Sequence, residues 1–428
     1  MLNTLQQEAL ELAKAGKSLF ITGPGGVGKS YLIHTIVDEL IKKGKRVGIT
    51  ALTGCAALLL GREAKTVHSW AGIGLGKDPS AKLIANIQKY NYKAKKRWLL
   101  TNTLIIDEIS MMTPELLEKI HEVAKGMRKS QQVFGGLQII LVGYFFQLPP
   151  IYREGETMFA FESLIWKELN LTMIELTEII RQDNPVFHEI LKEARIGELS
   201  QTSINILKER MIDTWQKEKI RPTLLFSRRA EVEMINEQNL KALKTPLITF
   251  EAKTLHTANL EINVLKSDLD RAIEKLDRDA SYKVKLELRV GAQVMLIYNL
   301  DQEAGLVNGR RGIVEGFTAS IPSIPLVLFK GNSVAIPVPE VSWESSEVDG
   351  LKRSQIPLIL AYAITIHKCQ GATLDSALID IGRSTFESGQ AYVALSRVKS
   401  LESLYIYELE PQAFRAPKKV KAFYTSLH

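Results

Sequence analysis

The sequence predicts an α/β protein made of two parallel-sheet units, each interrupted by an insertion. Three observations carry this reading. Up to about residue 175 short apolar strands alternate with segments of helical periodicity, the pattern of a buried parallel sheet. The same alternation starts again near residue 224. At the first strand-to-helix junction stands Gly23-Pro24-Gly25-Gly26-Val27-Gly28-Lys29-Ser30, which fits Gly-x-x-x-x-Gly-Lys-Ser, a loop that wraps triphosphates.

The elements follow in order. Residues 18–22 form an apolar run of strand length, and residues 31–43 place Leu32, Ile33, Ile36, Val37, Leu40 and Ile41 on one helical face, with Gly44 as the stop. Strands are predicted at 46–50, 103–107 and 137–143, and a helix at 114–127. Residues 72–98 break this rhythm with Gly74, Gly76 and Pro79, then a basic-aromatic stretch from Tyr90 to Trp98, and read as a small surface insertion. The second unit opens with a strand at 224–227 and a helix at 230–240. Leu265, Leu269, Ile273 and Leu276 mark a charged amphipathic helix. Then Val284, Leu286, Leu288 and Val290 alternate with Lys283, Lys285, Glu287 and Arg289, so the period switches to two. Asn308-Gly309 and Lys330-Gly331-Asn332 are hairpin-turn chemistry, which makes 245–350 a β-rich insertion. The α/β pattern resumes at 359–364, 377–381, 390–398 and 404–407. The expected division is 1–175 (with 72–98 inserted), 176–244 joined to 351–428, and 245–350 inserted in the latter.

Composition narrows the class. A chain of 428 residues with 45% apolar and 24% charged content is ordinary globular protein rather than disordered chain. The net charge of +7 suggests a polyanionic partner without deciding for one. Cys55 and Cys369 are the only cysteines and lack metal-ligand spacing, so neither a disulfide framework nor a zinc site is supported. No apolar run approaches membrane-spanning length, and residues 1–11 have neither a basic start nor a signal core, so neither membrane insertion nor export is expected.

The chemistry starts from the loop. Its glycines let backbone N–H groups turn toward phosphates, the following helix adds its positive end, Lys29 reaches the outer phosphates, and Ser30 suits magnesium. Alone it defines a triphosphate site common to kinases, GTPases and motors. Asp107-Glu108 closes the strand at 103–107, where parallel sheets bind ligands; one carboxylate can hold magnesium and the other can polarise the attacking water. Gln147, after the next strand, can hydrogen-bond water or a terminal phosphate.

Further motifs turn this set into a resemblance. They include an LxxxQ ending at Gln6, Thr53-Gly54 with Ala56-Ala57, Val67-His68-Ser69, Asp107 to Met111 (DEISM), and Phe134-Gly135-Gly136. They continue with Glu178 to Gln182 (EIIRQ), Gly291 to Met295 (GAQVM), Thr365 to Gly371 (TIHKCQG) and Tyr392 to Val398 (YVALSRV). With them, nearly the whole chain resembles the Pif family of superfamily-one DNA helicases; RecD-type helicases share the later motifs but fit Phe134-Gly135-Gly136 less well. The resemblance implies two RecA-like domains, a strand-separating wedge at 72–98 and an SH3-like barrel within 245–350. It implies an ATP- and magnesium-dependent helicase that moves 5′-to-3′ on single-stranded DNA and unwinds forked or G-quadruplex DNA, in replication, repair, recombination or telomere maintenance. A monomer is expected.

Carried over residue by residue, the resemblance gives Gln6 to the adenine and Gly23, Gly25, Gly26, Val27, Gly28 and Lys29 to the phosphates. Ser30 and Asp107 go to magnesium, Glu108 to water activation and Gln147 to γ-phosphate sensing. Arg181 and Arg397 become arginine fingers from the far side of the cleft. Thr53, Gly54, His68 and Ser69, with Thr365, His367 and Lys368, become contacts to single-stranded DNA. Small donors and one lysine suit phosphate contacts that position a strand without reading it; helix capping and satisfied histidines are the plainer alternatives. Trp70, Phe145 and Trp98 are more simply core residues, with base stacking as the other role.

Two positions depart from the family pattern. Tyr144 stands where aspartate is usual beside the sensor loop, which puts ATPase coupling in question. Cys369 replaces a serine, trading a hydroxyl donor for a weaker thiol. The alternative functions are a DNA-binding protein that hydrolyses ATP weakly, a RecD-like helicase, and a small-molecule kinase, which has no need of TIHKCQG. The expected compartment is the cytoplasm of a bacterial, archaeal or phage-infected cell; a trimmed eukaryotic core would imply nucleus or mitochondrion.

Overall fold

The computed structural model describes residues 2–427 apart from 62, 153–154, 183, 257–264, 280, 302, 321, 346–347 and 349. Its first sheet contains β1 (Leu19–Thr22), β2 (Val47–Ala51), β3 (Lys65–Thr66), β4 (Thr103–Asp107), β5 (Gln138–Val142) and β6 (Thr172–Glu175), all parallel, in the order β3-β2-β4-β5-β1-β6. Burial explains the unbroken apolar runs. Phe20, Leu104, Ile106 and Leu141 enter the core on one face, while Leu19, Ile21, Ile105 and Ile140 enter the core on the other. Each strand therefore needs apolar residues at both parities.

The helix after the first strand covers Lys29–Lys42 and buries Leu32, Ile33, Ile36, Val37 and Leu40; Gly44 follows it at φ 72°. The insertion at 72–98 is helical, Ser80–Tyr90 followed by Tyr92–Leu100, and both helices pack on the helix Pro114–Arg128. Leu83, Ile87, Ala94 and Trp98 are its buried face. Trp98 lies edge-on to Trp70 at 4.7 Å and donates from its indole to Ala71 O at 2.9 Å. Trp70, Trp98 and Phe145 are all core residues, so base stacking falls to none of them.

The second parallel sheet has the order Ala363–Thr365, Thr223–Phe226, Ala377–Ile381, Leu404–Leu409. Between its first and second strands in the sequence lies an antiparallel five-stranded sheet whose members include Gln293–Leu296, Arg311–Phe317 and Pro325–Phe329. The run expected as one strand at 359–364 is two. Leu358–Leu360 pairs antiparallel with Gln293–Leu296, and Ala363–Thr365 pairs parallel with Thr223–Phe226, so one apolar run passes from one sheet to another.

The last helix, Lys418–Thr425, was expected with the second unit but packs on the first. Phe423 stacks on Phe161 at 4.3 Å, and Tyr424 stacks on Phe146 at 5.1 Å. The Tyr424 hydroxyl bonds Thr22 Oγ1 at 2.6 Å and accepts from Phe145 N at 3.2 Å. One continuous core consequently joins the two sheets. No helix among the described residues is long and apolar enough to cross a membrane.

Candidate active site and DNA groove

A cavity of about 440 Å³ opens where β1 and β4 end, and its lining is drawn from both units. From the first unit come Gln6, Gly25, Gly26, Gly28, Lys29, Ser30, Tyr31, Asp107, Glu108 and Gln147; Ile180, Arg181, Gly371 and Arg397 complete it. Apart from Tyr31, Ile180 and Gly371 these are residues expected for nucleotide, magnesium and water, gathered from positions far apart in the sequence, while the expected Gly23 and Val27 stay outside the lining.

The loop is held tightly. Gly26 has φ 90°, and a Cβ there would lie 2.6 Å from Arg181 Cβ; Gly28, at φ 82°, would meet Gln6 Nε2 at 2.8 Å. Only glycine satisfies both the backbone and the space. Gln6 donates to Val27 O at 3.1 Å, and Lys29 Nζ donates to Gly23 O at 2.7 Å and Pro24 O at 2.8 Å. The lysine thus rests on loop carbonyls, with phosphate able to replace them. The Gly25 N–H donates to Tyr392 Oη of the second unit at 3.1 Å.

Charge is concentrated here. Asp107 and Glu108 are buried side by side, with Glu108 at φ 56° and its N–H donating to Asp107 Oδ1 at 2.8 Å. Burial, then the Glu108 charge, pushes the Asp107 carboxyl above the usual carboxylate range. Burial lowers Lys29, against the opposing pull of Glu108 and Asp107. Ser30 Oγ and the Asp107 carboxylate are hard oxygen donors, and no cluster of three or more His, Cys, Asp or Glu occurs among the described residues. That donor set fits Mg²⁺ shared with phosphate oxygens rather than a metal held by protein alone.

The two arginines arrive differently. Arg397 is 1% exposed and donates to Val393 O, Cys369 O, Ala372 O and Ser396 Oγ, so its charge meets neutral oxygens beside Gly25. Arg181 does not come from the far side of the cleft as expected. It lies on the connector after β6, where the Ile180 and Arg181 N–H groups both donate to Gly26 O, and its guanidinium crosses to Ser396 O at 3.0 Å. It spans the cleft instead of facing it from the far side. Burial lowers its pKa to about 10, which leaves it charged at neutral pH.

Of the expected DNA contacts, Gly54 and His68 line a second, separate groove. A groove of about 500 Å³ is lined by Gly54, Thr66 and His68 of the first unit and by Arg271, Glu274, Lys275 and Arg278 of the helix Lys266–Asp279, three cations to one carboxylate. Thr53 caps the helix Gly54–Leu60, and Thr365 caps the 3₁₀ turn Ile366–Cys369, so the capping reading holds for both hydroxyls. Ser69 takes its place in a capped turn as well, its N–H donating to Thr66 Oγ1. His367 Nε2 bonds Glu387 Oε2 at 3.0 Å. Desolvation, then the positive charges of Lys283 and Arg229, lower the Lys368 pKa against the opposing pull of Cys55 and Glu233. Sequence reasoning missed the cationic row of Arg271, Lys275 and Arg278, although its spacing of four and three residues places it on one helical face. It also left Gln370 and Tyr392, inside quoted motifs, without a role.

The pattern of PIF1-like helicases matches residues 1–211, and that of the Pif1 helicase 2B domain matches residues 274–317. Human ATP-dependent DNA helicase PIF1 is 37% identical over 425 residues, which cover 99% of this chain and 63% of the human protein. The chain therefore spans less than two thirds of that relative. The crystal structure of Pif1 helicase from Candida albicans superposes with TM-score 0.83 at 34% identity, covering 100% of both chains. Bacteroides Pif1 in complex with ADP-AlF3 and ssDNA gives 0.70 at 26% identity, over 100% of this chain and 97% of the other. Fold and site define a protein of two RecA-like units with a phosphate-loop cleft between them. The chain belongs to the PIF1-like helicase family.

Proposed function

We propose that this protein is an ATP-driven DNA helicase that translocates 5′-to-3′ on single-stranded DNA and unwinds forked or folded DNA. The observation that carries the reading is the cleft: groups for phosphate, water activation and transition-state charge meet there from both units. Gln6 reads the adenine. The loop N–H groups and Lys29 hold the phosphates, with Gln147 at the γ-phosphate. Ser30 and Asp107 would hold Mg²⁺, which would supply positive charge to offset that of the outer phosphates. Glu108 takes a proton from the attacking water, and Arg181 and Arg397 stabilise the negative charge spread over the transferring group. Because Arg181 and Tyr392 each bridge the units at the loop, filling and emptying the site changes how the units hold one another.

The groove between Gly54, His68 and the helix Lys266–Asp279 is the path for the strand, with Thr53, Ser69, Thr365, His367 and Lys368 as further phosphate contacts. The ssDNA in the Bacteroides relative supports this class of partner. Polarity, G-quadruplex unwinding and action as a monomer rest on the family. The wedge role of 72–98 does too. Against the weak-hydrolysis alternative stands the place of Tyr144, which does not line the cavity but packs at 5.2 Å from Tyr424 and 6.4 Å from Tyr392. The test is ATP turnover with and without single-stranded DNA for wild type and Lys29→Ala. DNA-stimulated hydrolysis abolished by the substitution is expected; a wild type indifferent to DNA would overturn the reading.

A further inference from the structure

The loop that carries Lys368 also reaches the carboxylate of Glu108. Gln370, two residues on, is buried, and its Nε2 donates to Glu108 Oε2 at 2.9 Å across the cleft. Chemistry fixes the orientation of that amide: a carboxylate only accepts, so the NH₂ faces it and the carbonyl oxygen turns elsewhere. Gln370 Oε1 is itself buried and has no hydrogen-bond partner among the described residues. A buried acceptor in such a position calls for a water or a ligand. The neighbouring Gly371, at φ 80°, lines the cavity, and a Cβ there would stand 3.7 Å from Glu108 Oε1. Two consecutive residues of the second unit therefore frame the carboxylate, one gripping an oxygen and the other leaving space at its partner.

We propose that Gln370 positions the base and the attacking water, and that it carries DNA occupancy from Lys368 to the site of hydrolysis. This rests on the helicase reading above. Its N–H holds Glu108 while its Oε1 accepts one hydrogen of the water. In the step itself the water oxygen bonds to the γ-phosphorus, and the bond from that phosphorus to the β,γ-bridging oxygen breaks. The electron pair leaves with ADP, and the second water proton passes to Glu108. The path from Lys368 is short and stiff. The turn Ile366–Cys369 is capped by Thr365 Oγ1, the Cys369 thiol donates to Ile366 O at 3.0 Å, and Arg397 Nη1 donates to Cys369 O at 3.3 Å. A DNA phosphate on Lys368 thus acts on Gln370 and Arg397 through one rigid turn.

The experiment compares wild type, Gln370→Ala and Gln370→Asn by steady-state ATP hydrolysis with and without saturating oligo(dT), and by fluorescence anisotropy for oligo(dT) affinity. Gln370→Asn keeps both polar atoms one methylene short and guards against a folding defect in the alanine variant. For both, kcat with DNA should fall by about 10²-fold while KM for ATP and DNA affinity stay within about twofold, and the stimulation ratio should drop. A loss explained by KM or by DNA affinity would overturn the proposal. So would a kcat within about threefold of wild type, or a reduced kcat with an unchanged stimulation ratio. Absence of stimulation in the wild type would instead defeat the helicase reading.

Discussion

Replacing Arg397 removes the most enclosed cation of the cleft. If it supplies the transition-state charge of an arginine finger, its loss should slow hydrolysis by about 10³- to 10⁵-fold, or about 4–7 kcal/mol of barrier. The same guanidinium donates to Val393 O at 2.8 Å, Ala372 O at 3.1 Å, Cys369 O at 3.3 Å and Ser396 Oγ at 2.6 Å. Alanine leaves those buried acceptors without a charged donor, at about 1–3 kcal/mol for each that finds no substitute. Arg397→Ala should therefore lower the melting temperature as well as turnover, and the two effects would be confused. Arg397→Lys separates them, because it keeps the charge and up to three donors but not the planar fork. Phosphate release at saturating ATP and single-stranded DNA should fall by at least about 10²-fold for Arg397→Lys, with KM changed little. A lysine variant that melts like wild type and turns over within about threefold of it would refute the assignment.

Four other outcomes follow from the geometry. Glu108→Gln should cut kcat by about 10²- to 10⁴-fold while ATP still binds, checked by turnover and by titration with a fluorescent nucleotide. Lys29, lowered to about 8 mainly by burial, should give kcat/KM for ATP an alkaline limb: as pH rises past that value the free enzyme loses the ammonium and binds triphosphate less well. Lys29→Arg should move this limb out of reach, and a flat wild-type profile up to about pH 9.5 would contradict it. Lys275→Ala should weaken oligo(dT) binding and reduce the slope of log affinity against log salt by about one, with DNA-free ATP turnover as the control. Tyr144→Asp places a buried carboxylate among Phe146, Tyr392 and Tyr424, where the charge of Arg195 offsets only part of the desolvation. A lower melting temperature with no gain in turnover is expected, and a large gain would restore the weak-hydrolysis alternative.

What the sequence revealed depended on the range over which each feature is determined. The phosphate loop was legible because a strand, a glycine turn and a helix start must be contiguous to bind phosphate, and positive φ at Gly23, Gly26 and Gly28 writes that need into residue type. Burial on both faces made β1 and β4 readable as apolar runs. The segment 359–364 misled because an apolar run records burial but not partners, and here it serves an antiparallel and a parallel sheet in turn. The stretch 90–98 was composed like a surface, yet its helical spacing buries Ala94 and Trp98 and leaves the charges outside. Arg181 was identified by motif, but its route to the site depends on hydrogen bonds to Gly26 O that no local pattern encodes. Gln370 stayed unassigned for the same reason: its meaning lies in a contact to a carboxylate 262 residues away.

The central claim is that the two units turn ATP hydrolysis into directed motion on DNA. Strand-displacement assays with duplexes carrying either a 5′ or a 3′ single-stranded tail, with and without ATP, address it most directly. ATP-dependent release from the 5′-tailed duplex, little from the 3′-tailed one, and none for Lys29→Ala is the predicted result. Failure to separate either duplex with ATP present would contradict the account.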